Sequence, residues 1–290
     1  MKKKISTFDV VNIAILLLLS ASILFPFINT IATSFSSSQD ILLGRVLFLP
    51  SGFTLSSYEK LLNTSAFYNS VSMTAQISIL GTALALFITT IAGFAFSRKM
   101  LGHKWLFLLV LICMFFNGGM IPTFLQIKRL GLYDTMWILV IFGSFGIFNM
   151  IVARNFFQQL PKEVFESGMI DGCNDLSLFF RIALPMSKPV VATLALFIVV
   201  QYWNTFMPGI LYVQSPNLVP LQVYVRQMLQ VMVQLDSVAA AAAQLDEANK
   251  NNLEGVRAAV IMLSTVPIIC VYPLLQRYFV TGLNMGAVKG

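Results

Sequence analysis

The chain has 290 residues, of which 57% are hydrophobic and 11% are charged, with a formal net charge of +7. An ordinary soluble domain has roughly 45–50% apolar and about 25% charged residues, and a soluble fold of this size cannot hide so much apolar surface. The composition therefore excludes an ordinary soluble domain and indicates a membrane protein. Three cysteines and one histidine leave little for a metal or thiol site. Basic charge in so apolar a chain is typical of cytoplasmic membrane loops, not of nucleic-acid binding.

The apolar residues are grouped in six runs, each close to the length of about 20 residues that a bilayer-spanning helix needs. None of the six runs contains an acidic residue. The predicted spans are Val10–Thr33, Ser70–Phe96, Trp105–Gln126, Met136–Phe156, Pro189–Met207 and Val256–Tyr278. The sequence therefore predicts an all-α fold, with residues 1–290 forming one polytopic transmembrane domain of six helices.

The distribution of charge predicts the orientation of these spans. An even number of spans places both termini on one side, and that side has twelve of the nineteen Lys and Arg residues and five of the twelve acidic residues. The opposite side has seven basic and seven acidic residues, so the whole net charge lies with the termini. We therefore predict a multi-pass protein with both termini in the cytoplasm.

Three segments outside the predicted spans are long enough to have a function. On the outer side, Phe35–Asn69 is expected to be a loop with a short helix around Ser57–Leu62. Also outside, Pro208–Gly255 is expected to contain a solvated or interfacial helix around the alanine run Ala239–Ala243. The third segment, residues 158–188, is predicted to be cytoplasmic and carries the most information.

The pattern of this cytoplasmic segment predicts two short helices separated by a glycine. Pro161 suits the first turn of a helix, and Gly172 can end that helix in the left-handed conformation. Asn174 or Asp175 can then cap a second helix. The segment is therefore expected to form a helix–glycine–helix protrusion.

The second of these helices is predicted to have an apolar face in the cytoplasm, where no lipid covers it. Leu176, Phe179, Phe180 and Ala183 recur at the spacing of one helical face. The pattern alone leaves two interpretations open: an amphipathic hairpin that lies on the membrane surface, or a helix that docks in a groove of another protein.

The same segment contains a spaced motif. Glu166-Ser167-Gly168 is followed by Gly172 and, after nine residues, by Ile182-Ala183-Leu184-Pro185. These residues resemble the signature loop of ATP-binding-cassette (ABC) importer permeases: Glu-Ala-Ala, three residues, Gly, nine residues, Ile-x-Leu-Pro. Ser167 and Gly168 replace the two alanines of the family pattern, and both are small. Asp171 before Gly172 is the form usual in sugar importers.

The resemblance extends over nearly the whole chain. Residues Phe115–Pro122 and Leu130–Thr135 resemble the third-span region of Gram-positive oligosaccharide permeases. Residues Gln276–Gly282 and Gly286–Gly290 resemble the C-terminus of the maltose-type second permease subunit. The chain is thus similar to carbohydrate importer permeases, in the subgroup linked to complex or polysaccharide-derived oligosaccharides.

This resemblance implies a type I ABC importer permease fold, a bacterial cell-membrane location and a set of partners. A second, homologous permease completes the translocation path for the carbohydrate, within membrane lipid. An extracellular sugar-binding lipoprotein docks on Phe35–Asn69 and Pro208–Gly255 and delivers the cargo. Two ATPase subunits bind ATP and Mg²⁺, so the permease itself is expected to hold no cofactor and no metal.

The resemblance also assigns roles in the cytoplasmic loop, whose short helix inserts into an ATPase groove. By this carry-over Glu166 pairs with a basic ATPase residue, and Gly168 and Gly172 allow close backbone approach. Apolar contact comes from Phe179, Phe180 and Leu184. The remaining residues of the motif that complete the predicted ATPase-coupling set are Ser167, Asp171, Ile182 and Pro185.

The residues themselves agree with an importer that borrows its energy. The chain has no Gly-x-x-x-x-Gly-Lys-Ser/Thr phosphate loop and no Gly-Lys pair, so we expect a transport subunit and not an enzyme. The spans lack the carboxylates and histidines of proton relays, which disfavours the alternative of an ion-coupled secondary sugar transporter or channel acting alone. An intramembrane enzyme is disfavoured too, because the single histidine, His103, lies in a loop.

Aromatic and amide side chains inside the spans are the candidates for the sugar path. Aromatic faces and amide hydrogen bonds suit sugar rings, and Tyr202-Trp203-Asn204 combines the two. The other predicted members of the path are Asn117 and Asn149. The competing interpretation is structural, because aromatic residues near a span end commonly form an interfacial belt and buried amides commonly bond neighbouring helices.

Overall fold

The computed structural model describes residues 7–98, 101–116, 118–241 and 253–270, and in these residues every regular element is a helix. The all-α prediction is confirmed for this part of the chain. In chain order the helices are α1 (Thr7–Ser34), α2 (Ser38–Leu42), α3 (Ser56–Leu62), α4 (Ser65–Ser97), α5 (His103–Phe115), α6 (Met120–Arg129), α7 (Met136–Ile141), α8 (Ile147–Phe157), α9 (Lys162–Ile170), α10 (Asp175–Met186, with a π-helical turn at Phe179–Ala183), α11 (Lys188–Trp203), α12 (Met207–Tyr212), α13 (Leu221–Ala241) and α14 (Leu253–Cys270).

Fewer than six of the described helices, or pairs of helices, are long and apolar enough to cross a membrane. Among the described residues, α1, α4 and α14 are each long and apolar enough to cross a bilayer. Two further pairs pass the same test only when taken together: α5 with α6, and α10 with α11, which meet at a bend of 84°. The described helices therefore account for up to five spans, and the number six stays a prediction.

Two of the predicted spans are not continuous helices, which corrects the sequence-based prediction. The run Trp105–Gln126 is divided between α5 and α6, and the run Met136–Phe156 is divided between α7 and α8. Glycines with positive φ lie in both interruptions, Gly119 at +88° and Gly143 at +87°. A glycine in this conformation ends a regular helix, and hydropathy averaged over a window does not register the break.

The remaining predicted elements agree with the structure to within a few residues where it describes them. The spans Val10–Thr33 and Ser70–Phe96 lie within α1 and α4, and the span Pro189–Met207 corresponds to α11, which ends at Trp203. The short helix predicted around Ser57–Leu62 is α3. The helix expected around Ala239–Ala243 is the end of a much longer helix, α13, and residues 242–243 lie outside the described residues, as do residues 271–278 of the sixth predicted span.

The described residues divide into two compact units, of which the first contains residues 7–68, 224–241 and 253–266. In this unit α1 has no buried residue in its most apolar stretch, and its C-terminal half is tied to the loop that follows it. The Asn29 side-chain amide donates hydrogen bonds to the carbonyl oxygens of Val46 (3.3 Å) and Leu47 (3.0 Å). The start of α14 lies against α3, because a Cβ on Gly255 would come within 2.6 Å of the Ser57 Oγ.

The described residues of the second unit lie within 69–223 and 267–270, and α4 passes through both of its apolar cores. One core joins α4 to α8, α10 and α11, and the other joins α4 to α6, α7 and α12. Small residues allow the helices to approach closely, as is common between membrane helices. A Cβ on Gly93 would lie 2.7 Å from the Ala153 Cβ, and a Cβ on Gly81 would overlap the ring of Tyr202.

Candidate functional site

The loop that carries the sequence motif folds as two helices, α9 and α10, which we call the motif helices. The left-handed conformation predicted for Gly172 is confirmed, with φ of +80°. Two backbone hydrogen bonds close the end of α9, from the Gly172 N–H to the Met169 carbonyl oxygen (3.1 Å) and from the Cys173 N–H to the Gly168 carbonyl oxygen (2.9 Å). This is the glycine-dependent termination that satisfies carbonyl groups of the last helical turn.

The cap of α10 is also confirmed, and the sequence left two candidates for it. The Asn174 side-chain oxygen accepts a hydrogen bond from the Ser177 N–H at 2.8 Å. Asp175 is thereby the first residue of the helix, where a carboxylate is favoured by the helix dipole. The first motif helix therefore ends, and the second begins, where turn and cap chemistry placed them.

The apolar face predicted for α10 is wrong in its register. Leu178, Phe179 and Ala183 are buried, whereas Leu176 is 63% exposed and Phe180 is 47% exposed. In the π-helical turn, Phe179–Ala183, the side chains shift out of the 3.6-residue repeat, whereas Leu176 lies in the α-helical turn before it. A pattern that assumes a regular α-helix cannot locate such a shift.

The buried members of the predicted coupling set hold the motif helices to their own chain. The Phe179 ring lies 5.4 Å from the Phe94 ring and 6.4 Å from the Phe157 ring, centroid to centroid. Gly168 lets α9 lie directly on α10, since a Cβ there would come within 2.8 Å of the Ile182 and Leu178 side chains. These residues therefore have an internal packing role in the structure, and Phe179 has no surface left for a partner.

Four exposed members of the set lie close together in the chain with two exposed residues that the predicted coupling set did not include. A Cβ added to Gly172 would meet no atom within 4 Å beyond its chain neighbours, so the space around it is open. Ile170 is 85% exposed and Leu176 is 63% exposed, so both apolar side chains are accessible. We call this set the motif surface; it consists of Glu166, Ser167, Ile170, Asp171, Gly172 and Leu176.

Glu166 lies exposed on this surface, and no basic residue in the described part of the chain forms an ion pair with it. Among the other motif residues, Leu184 and Ile182 are half-buried, and Pro185 and Phe180 are exposed. Ile170 carried no signal in the family pattern, because that pattern leaves its position unspecified.

The residues predicted for the sugar path differ in their exposure. Tyr202 is 2% exposed, and its hydroxyl donates a 2.6 Å hydrogen bond to the Val140 carbonyl oxygen, so the structure favours a packing role for it. Trp203 and Asn149 are half-buried. Asn204 is exposed; its side-chain amide donates to the Val200 carbonyl oxygen (2.9 Å). Asn117 lies outside the described residues.

The interruption between α7 and α8 brings further amide groups near this path. A Cβ on Gly143 would lie 3.1 Å from the Gln201 Nε2, and a Cβ on Gly146 would lie 3.1 Å from the Asn149 Nδ2. Gln201 is exposed, and the half-buried Gln222 places its Nε2 3.4 Å from the Asn204 Oδ1. Neutral amides therefore line this part of the second unit, where a continuous apolar span was predicted.

A loop between α6 and α7 is tied to the loop after α12 by one carboxylate. The Asp134 Oδ1 accepts hydrogen bonds from the Gln214 and Ser215 N–H groups (2.8 Å each), and its Oδ2 accepts from the Ser215 hydroxyl (2.6 Å). These hydrogen bonds, that of the Ser215 side chain foremost, lower the pKa of Asp134. Asp134 adopts a φ of +57°, which is uncommon for a residue other than glycine. We call this network the Asp134 latch.

These features define a class of protein: an α-helical membrane protein whose spans are interrupted at glycines and whose loop of two short helices presents apolar and acidic groups to solvent. Residues 77–285 match the family described as "Binding-protein-dependent transport system inner membrane component". The chain therefore belongs to this family of ABC importer permeases, which are multi-pass transport subunits of the inner membrane and not enzymes.

Individual relatives agree with the family over nearly the whole chain. The "Polygalacturonan/rhamnogalacturonan transport system permease protein YtcP" of Bacillus subtilis (strain 168) is 36% identical to this chain, and the alignment covers 98% of each of the two chains. Protein LplC of the same organism is 41% identical, with 98% of this chain and 95% of the relative covered. Among solved structures, a bacterial ABC transporter for import of the acidic polysaccharide alginate matches with a TM-score of 0.84 and 29% identity, covering 94% of this chain and 96% of that one.

Proposed function

We propose that this chain is one permease of an ATP-driven oligosaccharide importer. Together with a second, homologous permease it forms the translocation path, and an extracellular binding lipoprotein delivers the cargo. Two separate ATPase subunits bind ATP and Mg²⁺ and drive the change between inward- and outward-facing states. The observation that carries this proposal is the motif surface, where the family motif coincides with exposed apolar side chains that lie outside both apolar cores.

The motif surface has the chemistry of a docking site for an ATPase subunit. Ile170 and Leu176 are apolar knobs that lose contact with water when they enter a groove. Glu166, on the same surface, is an exposed carboxylate for which a basic residue of the ATPase is the partner. The open space around Gly172 admits the backbone of the partner, while Asp171 and Ser167 offer side-chain oxygens.

The proposed cargo is an oligosaccharide. The relatives support this class, because their names include a polygalacturonan/rhamnogalacturonan system and an arabinooligosaccharide system. The amides Gln201 and Asn204 can each donate and accept hydrogen bonds with sugar hydroxyl groups, and Trp203 beside them offers an aromatic face. One relative is named for polygalacturonan and one solved structure for alginate, which makes fragments of acidic polysaccharides the first cargo to test.

The proposed orientation places both termini and the motif helices in the cytoplasm. The asymmetry of charge supports it, because the whole net charge lies on that side of the predicted spans. The ATPase subunits then meet the motif surface from the cytoplasm, and the Asp134 latch lies on the outer side, where the binding lipoprotein docks.

The experiment that tests this proposal co-expresses the tagged chain with the second permease and the ATPase and measures ATPase co-purification. We expect the wild-type chain to retain the ATPase and Glu166→Ala to lose most of it. Glu59→Ala is the matched control, because Glu59 is an exposed carboxylate on a short helix, α3, of the first unit. Equal retention by the two variants would contradict the assigned role of Glu166, and a wild-type chain that accumulates sugar alone, without ATPase, would overturn the proposed function.

A further inference from the structure

The end of α4 reaches the motif helices through a single side chain. Arg98 follows the last residue of α4, and its Nη1 lies 3.5 Å from the Asp175 Oδ1 at the start of α10. Its Nη2 lies 3.6 Å from the Met169 Sδ in α9. One guanidinium group therefore contacts both motif helices.

Two aromatic rings hold this guanidinium in place. Its central carbon lies 5.6 Å from the centre of the Phe94 ring in α4 and 5.9 Å from the centre of the Phe165 ring in α9. Both distances are within the range of cation–π attraction. The cation thus lies between a ring of the span and a ring of the motif helix, and it attracts both.

The two partners of the ion pair, Arg98 and Asp175, differ in their exposure. The Arg98 side chain is 29% exposed, whereas the Asp175 side chain is 84% exposed, and an ion pair in that setting contributes little by itself. The Arg98 Nη1 is nevertheless buried without a hydrogen bond in the described residues. The position of the Arg98 guanidinium therefore depends on the two rings and Asp175 together. These three groups surround it only while α4, α9 and α10 keep their relative placement.

A cavity of about 1070 Å³ lies beside these contacts. It is bordered by Arg98 and Phe165 and, on other sides, by Lys104 and Leu160. Because this space is open, α9 is not packed on all sides near the end of α4. Phe165 and Met169, which line the cavity, touch Arg98 itself.

We propose that Arg98 is a positioning residue that transmits movement of the motif helices to α4. The inference rests on the proposed function, in which the ATPase moves the motif surface. When α9 and α10 shift, the guanidinium loses its rings and its carboxylate unless the end of α4 shifts with them. Since α4 passes through both apolar cores of its unit, a displacement of its end reaches the helices of the path. Coupling of this kind needs a physical link that is the same in both states.

The test measures one distance in the complete importer, with its second permease and ATPase, in lipid nanodiscs. Spin labels are placed at Ser97→Cys and Lys162→Cys after the native cysteines are replaced by serine. The distance between them is measured without nucleotide and with ATP and vanadate. In the protein that keeps Arg98 we expect the same distance in both states, because α4 follows α9. In Arg98→Ala the nucleotide-free distance is expected to be retained, and the trapped state is expected to show a separate, displaced distance.

Three further variants make the result specific. Lys104→Ala removes a cation beside the same cavity that has no ion pair or ring contact among the described residues, and we expect it to behave as wild type. Arg98→Lys keeps the charge without the planar fork and is expected to be intermediate. Phe165→Leu tests the link from the other side and serves if Arg98→Ala fails to assemble; it should reproduce the displaced distance.

The outcomes separate the inference from the proposal on which it rests. If the wild-type ATPase subunits do not co-purify, the proposed function fails, whatever Arg98 does. If the complex assembles and traps nucleotide, but Arg98→Ala and Phe165→Leu keep the wild-type distance in both states, only the inference is overturned. The inference would also be overturned if, in the protein that keeps Arg98, the distance changed between the nucleotide-free state and the state with ATP and vanadate, because α4 would then not follow α9.

Discussion

The motif surface and the Asp134 latch are two loop regions of the same unit, and they satisfy their polar groups in opposite ways. Every oxygen of the Asp134 carboxylate accepts a hydrogen bond from the chain, whereas Glu166 has no ion pair among the described residues and is exposed. The latch is complete in itself, which is typical of a structural element. The motif surface presents groups that gain from a partner, which is typical of a docking site.

The largest effect is expected from Gly172→Trp. The position has a φ of +80° with open space around it, so the bulky side chain blocks the partner and leaves the core intact. We expect sugar uptake to fall by roughly tenfold or more, within the range of coupling energies in proteins. Gly172→Ala is the control, because the left-handed backbone lowers the thermal stability of both variants, and only the tryptophan is large enough to block the partner. Uptake assays and melting curves check this, and normal uptake by the tryptophan variant would contradict the docking site.

The apolar part of the docking site is tested by Ile170→Asp with Leu176→Asp. Burying these side chains against a partner contributes on the order of 1.5–3 kcal/mol each. We therefore expect the double variant to lose affinity for the ATPase by more than about tenfold, measured by titration of the ATPase onto the permease in nanodiscs. Leu49→Asp is the control, because Leu49 is 78% exposed in the first unit and outside the motif surface; an equal loss there would show that exposed charge alone is the cause.

The packing between the motif helices is tested by Gly168→Leu. The side chain has no room between α9 and the Ile182 and Leu178 side chains, and overpacking of this kind costs about 1–3 kcal/mol. We expect a lower melting temperature together with reduced ATPase binding, and Gly168→Ala should show a smaller shift of the same sign. Unchanged melting of the leucine variant would mean that the helices are not in contact.

The division of roles around Tyr202 is tested by two single variants. Tyr202→Phe removes the hydrogen bond to the Val140 carbonyl oxygen, so the free energy of unfolding should fall by about 1 kcal/mol, with the affinity for sugar unchanged. Asn204→Ala should lower the affinity for sugar and leave the free energy of unfolding unchanged, because this amide is exposed. Denaturation and sugar-binding titrations of the assembled importer distinguish the two variants. A change in sugar affinity for Tyr202→Phe would show that Tyr202 contacts the sugar.

The smallest effect is the pH dependence of the Asp134 latch. Its hydrogen bonds hold the pKa of Asp134 below the usual value, so the stabilisation is present above the ordinary carboxyl range, near about pH 4, and is lost as the pH falls through the lowered pKa. Melting temperatures recorded between neutral and acidic pH should therefore fall less for Asp134→Asn than for the wild type. Parallel curves for the two proteins would rule out this contribution.

The sequence predicted the turns of the motif loop because their chemistry is local. Gly172 and Asn174 act through their own backbone and side-chain bonding, which a pattern of residues expresses directly. It could not predict that Phe179 is buried and Leu176 exposed, because Phe179 is buried by residues of α4 and α8 that are distant in the sequence. The interruption at Gly143 was missed for a related reason: neighbouring apolar residues hide a glycine from an averaged hydropathy.

The central claim is that the motif surface binds an ATPase, and a photoreactive amino acid at Ile170 in the complete importer tests it most directly. The account predicts a covalent product between this chain and the ATPase subunit, while the same photoreactive amino acid at Leu49 gives none. An intact importer in which position 170 reacts only with lipid or water would contradict the account.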